Sequence, residues 1–216
     1  MMVLRPPGVY PPQGDTALLC EVARRTDALL GARVLDVGTG TGTVALAAAR
    51  CGAARVTAVD VSARAVLAAR ANALVRGLRL RVLRGDLFRP VAGEVFDVIL
   101  ANPPYVAGGR GELVPRHGTA RAWDGGPDGR LLLDRIFAQA PAHLAPGGTL
   151  LVVHSALSGV EASLRALRRS GLRAAVVARR SEAFGPVMLS RAEALEARGV
   201  IGAGQRSEEL VVIRAV

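Results

Sequence analysis

Short continuous apolar runs alternate with stretches of helical spacing along most of the chain. Arg33–Val37, Arg55–Asp60, Leu80–Leu83, Val95–Ala101 and Thr149–His154 read as strands, and Ala174–Ala178 and Leu210–Ala215 complete the set. Strands this uniformly apolar are expected where both faces of a sheet are covered. Between them the helical patterns fall into place. The first runs from Thr16 to about Leu30, with Leu18, Leu19, Val22 and Ala23 on one face and Asp15 as its N-cap. Thr43–Arg50 is the second. Ser62 caps a third, closed by Gly77 after Arg76, Asp128 caps a fourth through Ala140, and Gly159–Arg169 is the fifth.

This rhythm implies right-handed βαβ crossovers and a mostly parallel, doubly wound, Rossmann-like α/β sheet. No internal repeat or second domain is visible, so residues 1–216 read as one unit. Residues 1–14, with Pro6, Pro7, Pro11 and Pro12, form an extended N-terminal segment. Two stretches, 103–127 and 180–206, read as long loops, and the second holds an amphipathic helical piece, Ser190–Arg198. Long loops inside a compact domain often carry function.

Composition narrows the reading. Half of the chain is apolar but only 3% is aromatic, so the core must be built from Ala, Val and Leu. No apolar run is long enough to span a bilayer, and the N-terminus has no signal-peptide stretch, so a cytoplasmic protein without a membrane partner is expected. Cys20 and Cys51 lack metal-ligand spacing and read as small apolar residues; no metal is expected. All 28 basic residues are Arg, and the net charge is +10. That excess favours an anionic partner such as nucleic acid. The arginines are scattered, however, and no basic patch interleaved with aromatics appears, so nucleic acid is a secondary expectation.

The first chemical motif is Asp36-Val37-Gly38-Thr39-Gly40-Thr41-Gly42, at the carboxyl end of the first strand. Ligands bind there in open α/β sheets. A dinucleotide fingerprint, G-x-G-x-x-G, would place its third glycine at position 43, where this chain has Thr43. An acid also heads the loop, which suits a cation better than a pyrophosphate. S-adenosylmethionine (SAM) carries a sulfonium and an amino group, so Asp36 can favour it. Asp60, 24 residues further on with Val61 beside it, is placed to accept both ribose hydroxyls. At the end of the third strand, Asp86 can accept from an adenine amino group while Leu87 lends an apolar edge. Taken alone, an acid at Asp86 is more commonly a turn residue after a strand.

The second motif is Asn102-Pro103-Pro104-Tyr105, at the end of the fourth strand. The prolines fix φ and remove two N–H donors. The Asn102 side-chain oxygen and a backbone carbonyl, that of Pro103, can accept both hydrogens of an –NH2 group, and Tyr105 can stack on the planar group that carries it. An amide or aryl amine nitrogen is a poor nucleophile because its lone pair is delocalised. Two acceptors pulling on its N–H bonds favour a pyramidal nitrogen and aim it for in-line displacement. Asn102, Pro103 and Tyr105 are therefore the candidate catalytic residues, with Pro104 as a further acceptor contact.

On these motifs the chain resembles the class I SAM-dependent methyltransferases, and within them the HemK/PrmC-type release-factor glutamine methyltransferases. The matching pieces are Val9-Tyr10, Asp15-Thr16, the Asp36–Gly42 loop, Asp60, Asp86-Leu87, Asn102–Tyr105, Trp123-Asp124-Gly125-Gly126-Pro127-Asp128-Gly129 and the closing Gln205–Ile213. The resemblance implies a seven-stranded sheet with its last strand antiparallel. It also implies SAM contacts at Thr16, Gly38, Thr39, Gly40, Gly42, Asp60, Asp86, Leu87 and Asn102. It implies N5-methylation of a protein glutamine, as on a peptide-chain release factor. The chain starts too late to carry the helical N-terminal domain of the bacterial enzymes. It is similar instead to the short eukaryotic and archaeal form, which relies on a small partner subunit and usually has Glu where this chain has Pro11 and Gly14. The same tetrapeptide would also serve an exocyclic amine of adenine or guanine in DNA or rRNA, or a small-molecule amine. A SAM-binding scaffold without catalysis is the remaining reading, and the intact Asn102 and Tyr105 oppose it. Trp123 reads either as a loop anchor or as a substrate contact, and His117 is assigned no role.

Overall fold

The computed structural model describes residues 3–108 and 122–216. Most of the first long stretch, His117 included, lies outside the described residues. The described chain runs α1 (Gly14–Arg24), β1 (Arg33–Val37), α2 (Thr43–Arg50), β2 (Arg55–Asp60), α3 (Ala63–Leu74), β3 (Arg81–Arg84) and β4 (Phe96–Ala101). It continues through α4 (Leu131–Gln139), β5 (Leu144–Ser155), α5 (Val160–Arg169), β6 (Ala174–Ala183), α6 (Pro186–Ala197) and β7 (Ser207–Ala215). The strands form a seven-stranded sheet in the order β3-β2-β1-β4-β5-β7-β6. Pairings from β3 across to β5 are parallel. β7 enters between β5 and β6 and runs antiparallel to both.

Alternate residues of each strand feed two cores. Val34 faces α1, α2 and α3, whereas Leu35 and Val37 face α4 and α5. Both faces are covered, which is why most buried positions of the central strands β1, β2 and β4 are apolar, Asp36 and Thr57 excepted. A third, smaller cluster packs Met188, Ala192 and Leu195 of α6 with Phe184 and Ile201, against Val106, Ala107 and Leu157 near the carboxyl ends of the strands. The N-terminal segment is pinned to α3 by the buried Asn72, whose amide accepts from Leu4 N–H at 2.7 Å and donates to Leu4 O at 2.8 Å. Cys20 is buried, and burial pushes its thiol up to about 12. No helix among the described residues is long and apolar enough to cross a membrane.

Four expectations need correction. Asp15 is not the cap of α1: Gln13 holds that position, and Asp15 lies in the first turn. The same helix stops at Arg24 because Thr26 is extended and its hydroxyl bonds back to Ala23 O at 2.8 Å, competing with the helical ladder. Asp128 caps only a turn, accepting from Arg130 N–H at 3.0 Å, and α4 begins at Leu131. The stretch 180–206 is not one loop. β6 and β7 extend to Ala183 and from Ser207, and they pair over that length. Their outer ends hold charges such as Arg179 and Glu209, ion-paired at 2.5 Å, which hid them from an apolar-run reading. The helical piece expected there is present as α6.

Candidate active site

β1 lies between β2 and β4: the chain adds β2 and β3 on one side of it and then β4 and β5 on the other. The loops after β1, β2, β3 and β4 open at this switch point, around a cavity of about 510 Å³. The N-terminal segment, Trp123, Glu208 of β7, and Val187 and Met188 of α6 complete its wall.

One end is dominated by backbone and carboxylates. Gly38 and Thr39 both donate backbone N–H groups to Val59 O, at 2.9 and 3.0 Å, which fastens the β1–α2 loop to β2. Asp60 Oδ2 accepts from Gly40 N–H and Oδ1 from Ser62 N–H, each at 2.8 Å. A carboxylate has about four acceptor positions, a chemistry suited to a diol. Val61 lines the wall beside it. Asp86 stands at the rim, tied to Arg135 of α4 at 2.5 Å. Leu87 has φ 46°, the only positive φ outside glycine among the described residues. Non-glycine residues in this region carry about 1–3 kcal/mol of strain and cluster at ligand sites.

Two of the expected contacts move out of this wall. Asp36 is 1% exposed and does not line the cavity. Its Oδ2 accepts from the Thr39 hydroxyl at 2.6 Å and from Ala45 N–H at 3.0 Å, so it organises the loop and the start of α2 from behind. Burial pushes its carboxyl up to about 7, against the hydrogen bonds from Thr39 and Ala45. Gly42 does not line the cavity either. It starts α2 with φ 84°, and a Cβ there would sit 3.1 Å from Ala69 of α3, so this glycine serves loop geometry and helix packing. Thr16, Gly38, Thr39, Gly40, Asp60, Asp86, Leu87 and Asn102 all line the cavity.

The other end is built from side chains. Asn102 Nδ2 donates to Thr16 Oγ1 at 3.1 Å, and Thr16 Oγ1 donates to Asp15 Oδ1 at 3.1 Å. Asp15 Oδ2 accepts from the Tyr105 phenol at 2.9 Å. Pro103, Pro104 and Tyr105 line the same end, joined by Tyr10 and Glu208. Burial, then the Asp15 charge, holds the Tyr105 phenol well above its ordinary range, and the same causes raise Tyr10. Burial likewise raises Glu208.

The Trp123–Gly129 segment clasps the tetrapeptide. Val106 N–H donates to Trp123 O at 3.0 Å, and Gly125 N–H donates to Val106 O at 2.8 Å. Gly129 has φ 76°, and a Cβ there would meet Tyr105 O at 2.2 Å, so only glycine permits this approach. Trp123 is half-buried on the cavity wall with the Arg191 guanidinium 5.2 Å from its ring centre. It is thus packed against α6 and also placed to meet an acceptor. Sequence reasoning missed Glu208, Arg135 and α6's part in the wall. It named Asp15 but gave it the wrong task. Only the pairing of Asp15-Thr16 with the later tetrapeptide hinted at that task.

The sheet order, the glycine loop with the Asp60 carboxylate beside it, and the Asn102–Tyr105 tetrapeptide on the same cavity fit a methyltransferase that uses SAM. Comparison with known proteins agrees. The methyltransferase small domain model matches residues 2–116, and the chain belongs to that family. A Methanocaldococcus jannaschii protein, provisionally named protein N5-glutamine methyltransferase, is 34% identical over 186 residues, covering 86% of this chain and 92% of its own. The release factor glutamine methyltransferase of Bordetella pertussis is 39% identical over 173 residues, covering 77% of this chain; the match spans only 64% of that longer protein. Among solved structures, the Encephalitozoon cuniculi Mtq2–Trm112 complex, described as methylating the eRF1 termination factor, matches in fold. The TM-score is 0.66 at 22% identity, covering 96% of this chain and 98% of the matched one.

Proposed function

We propose that the protein methylates the side-chain amide nitrogen of a glutamine in a polypeptide, of the kind carried by peptide-chain release factors. The observation that carries this reading is the Asn102 amide, whose NH2 is committed to Thr16 and whose oxygen is therefore left for the cavity. SAM, when bound, supplies an electrophilic methyl group. Gly38, Thr39, Gly40, Asp60, Val61, Asp86 and Leu87 hold it, with Asp60 on the ribose hydroxyls and Asp86 on the adenine amino group. Asp36 and Gly42 shape that loop without touching it. Asn102 Oδ1 and the Pro103 carbonyl accept the two N–H hydrogens of the acceptor amide, while Pro104 and Tyr105 pack on its plane. This arrangement localises the nitrogen lone pair toward the methyl carbon. The N–C bond forms as the C–S bond breaks, and the amide proton is lost to solvent afterwards.

A nucleobase amine would present the same –NH2 group. The acceptor end, however, holds the Asp15 and Glu208 carboxylates, which repel phosphates despite the +10 charge of the whole chain. That favours a polypeptide. A small partner subunit is proposed from the likeness to the Mtq2–Trm112 complex, and an enzyme of translation factors would act in the cytoplasm. Labelled SAM, offered with release factor and ribosomal RNA together, tests the assignment. Label should enter the protein; label in the RNA alone would refute it.

A further inference from the structure

We propose that Asp15 is a positioning residue for methyl transfer, fixing through Thr16 the direction in which the Asn102 amide points. The inference rests on the reading that Asn102 accepts an N–H of the acceptor. The two ends of an asparagine amide have nearly the same shape, so packing alone does not decide which end faces the cavity. Hydrogen-bond polarity does. A carboxylate only accepts. Asp15 Oδ1 takes the backbone N–H of Thr16 at 2.5 Å and its hydroxyl hydrogen at 3.1 Å. With its single hydrogen used, Thr16 Oγ1 can only accept from Asn102, at 3.1 Å, and the partner must be the NH2 end. The oxygen is thereby turned to the cavity. If Thr16 were free to donate, Asn102 could reverse and present NH2 to an acceptor that is itself NH2. The second oxygen of Asp15 holds the Tyr105 phenol, so one carboxylate sets both the group that accepts the N–H and the ring that packs beside it. Both residues stand on the first turn of α1, and Thr16 is buried, which keeps the relay in place.

The test is a double-mutant cycle on Asp15→Ala, Thr16→Val and their combination, together with Asp15→Asn, read as kcat at saturating SAM on the acceptor that wild type methylates. Asp15→Ala should lower kcat roughly 10- to 100-fold, the worth of one charge-assisted hydrogen bond. The combined variant should be no slower than the slower single one, because both changes cut the same relay. Asp15→Asn should recover most of the rate: the Thr16 N–H holds its carbonyl oxygen on the Thr16 side, where it still accepts. A purely structural role predicts that the losses multiply, or that Asp15→Asn is as slow as Asp15→Ala, and either result overturns the proposal. If Asp15→Ala does not fold, a fast Asp15→Asn beside a slow Thr16→Val supports the relay, and the reverse order refutes it. Should wild type label RNA and no polypeptide, the glutamine reading fails. The cycle is then read on that amine, since the orientation requirement is the same.

Discussion

The two ends of the cavity are built on different principles. At the cofactor end, ligand-facing groups come from loops that directly follow β1, β2 and β3, and the anchors are backbone amides bound to Asp60 or to Val59 O. At the acceptor end, the partners are far apart in sequence: Asn102 meets Thr16 across 86 residues, and Tyr105 meets Asp15 across 90. The first end is held by local geometry and should fail locally. The second depends on α1, the tetrapeptide, the Trp123–Gly129 clasp and β7 arriving together. Damage to the first should therefore appear in SAM affinity, and damage to the second in turnover.

Removing the acceptor oxygen should break the acceptor end most severely. Asn102→Ala is expected to lower kcat by about a thousand-fold, the upper range for losing one preorganised transition-state contact, while calorimetry finds most SAM affinity retained. Loss of affinity with unchanged kcat would merge the two ends. Asp60→Ala should show the converse: a SAM Kd weakened roughly 10- to 100-fold, with kcat at saturation near wild type. Gly129→Ala touches neither ligand directly. Its Cβ would push on Tyr105 O, and kcat/KM for the acceptor should drop on the order of 10-fold with SAM binding intact. Equal loss of SAM affinity would show that the clasp serves both ends.

The smallest effect is on stability against pH, and two buried groups work in opposite directions. Burial lowers His154 to about 4 from 6.5, so the unfolded chain binds the extra proton between those values. The stability His154 contributes is complete above pH 6.5 and is lost as pH falls toward 4. Asp36, raised to about 7 from 3.8, binds its proton in the folded state; its contribution is complete below 3.8 and is lost as pH rises through 7. Relative to wild type, urea midpoints for His154→Gln should therefore decline as pH rises across this window. Those for Asp36→Asn should decline as pH falls. Parallel curves for all three proteins would contradict both assignments.

Much of this was readable along the chain, for physical reasons. β1, β2 and β4 are buried on both faces, so they show as mostly apolar runs, and the loop after β1 needs glycines at fixed spacing. The identities of Asp60, Asp86 and Asn102 follow from their places at strand ends. What resisted reading depends on tertiary neighbours. Asp36 has the right spacing for a ligand contact, yet strand alternation turns it toward α2. Asp15 looks like a helix cap because a cap and a first-turn acid differ by two residues. Glu208 lies in the polar start of β7, before its apolar run, with no local sign of function, and the outer ends of β6 and β7 are polar because they reach past the core.

The central claim is that the acceptor atom is a glutamine side-chain nitrogen, drawn into position by Asn102. Fragmentation mass spectrometry of a release factor incubated with SAM and this protein reads that atom directly. The account predicts one added methyl group on a glutamine amide nitrogen, absent when Asn102→Ala replaces wild type. A methyl group on another side chain, or on a nucleobase with the release factor unmodified, would contradict it.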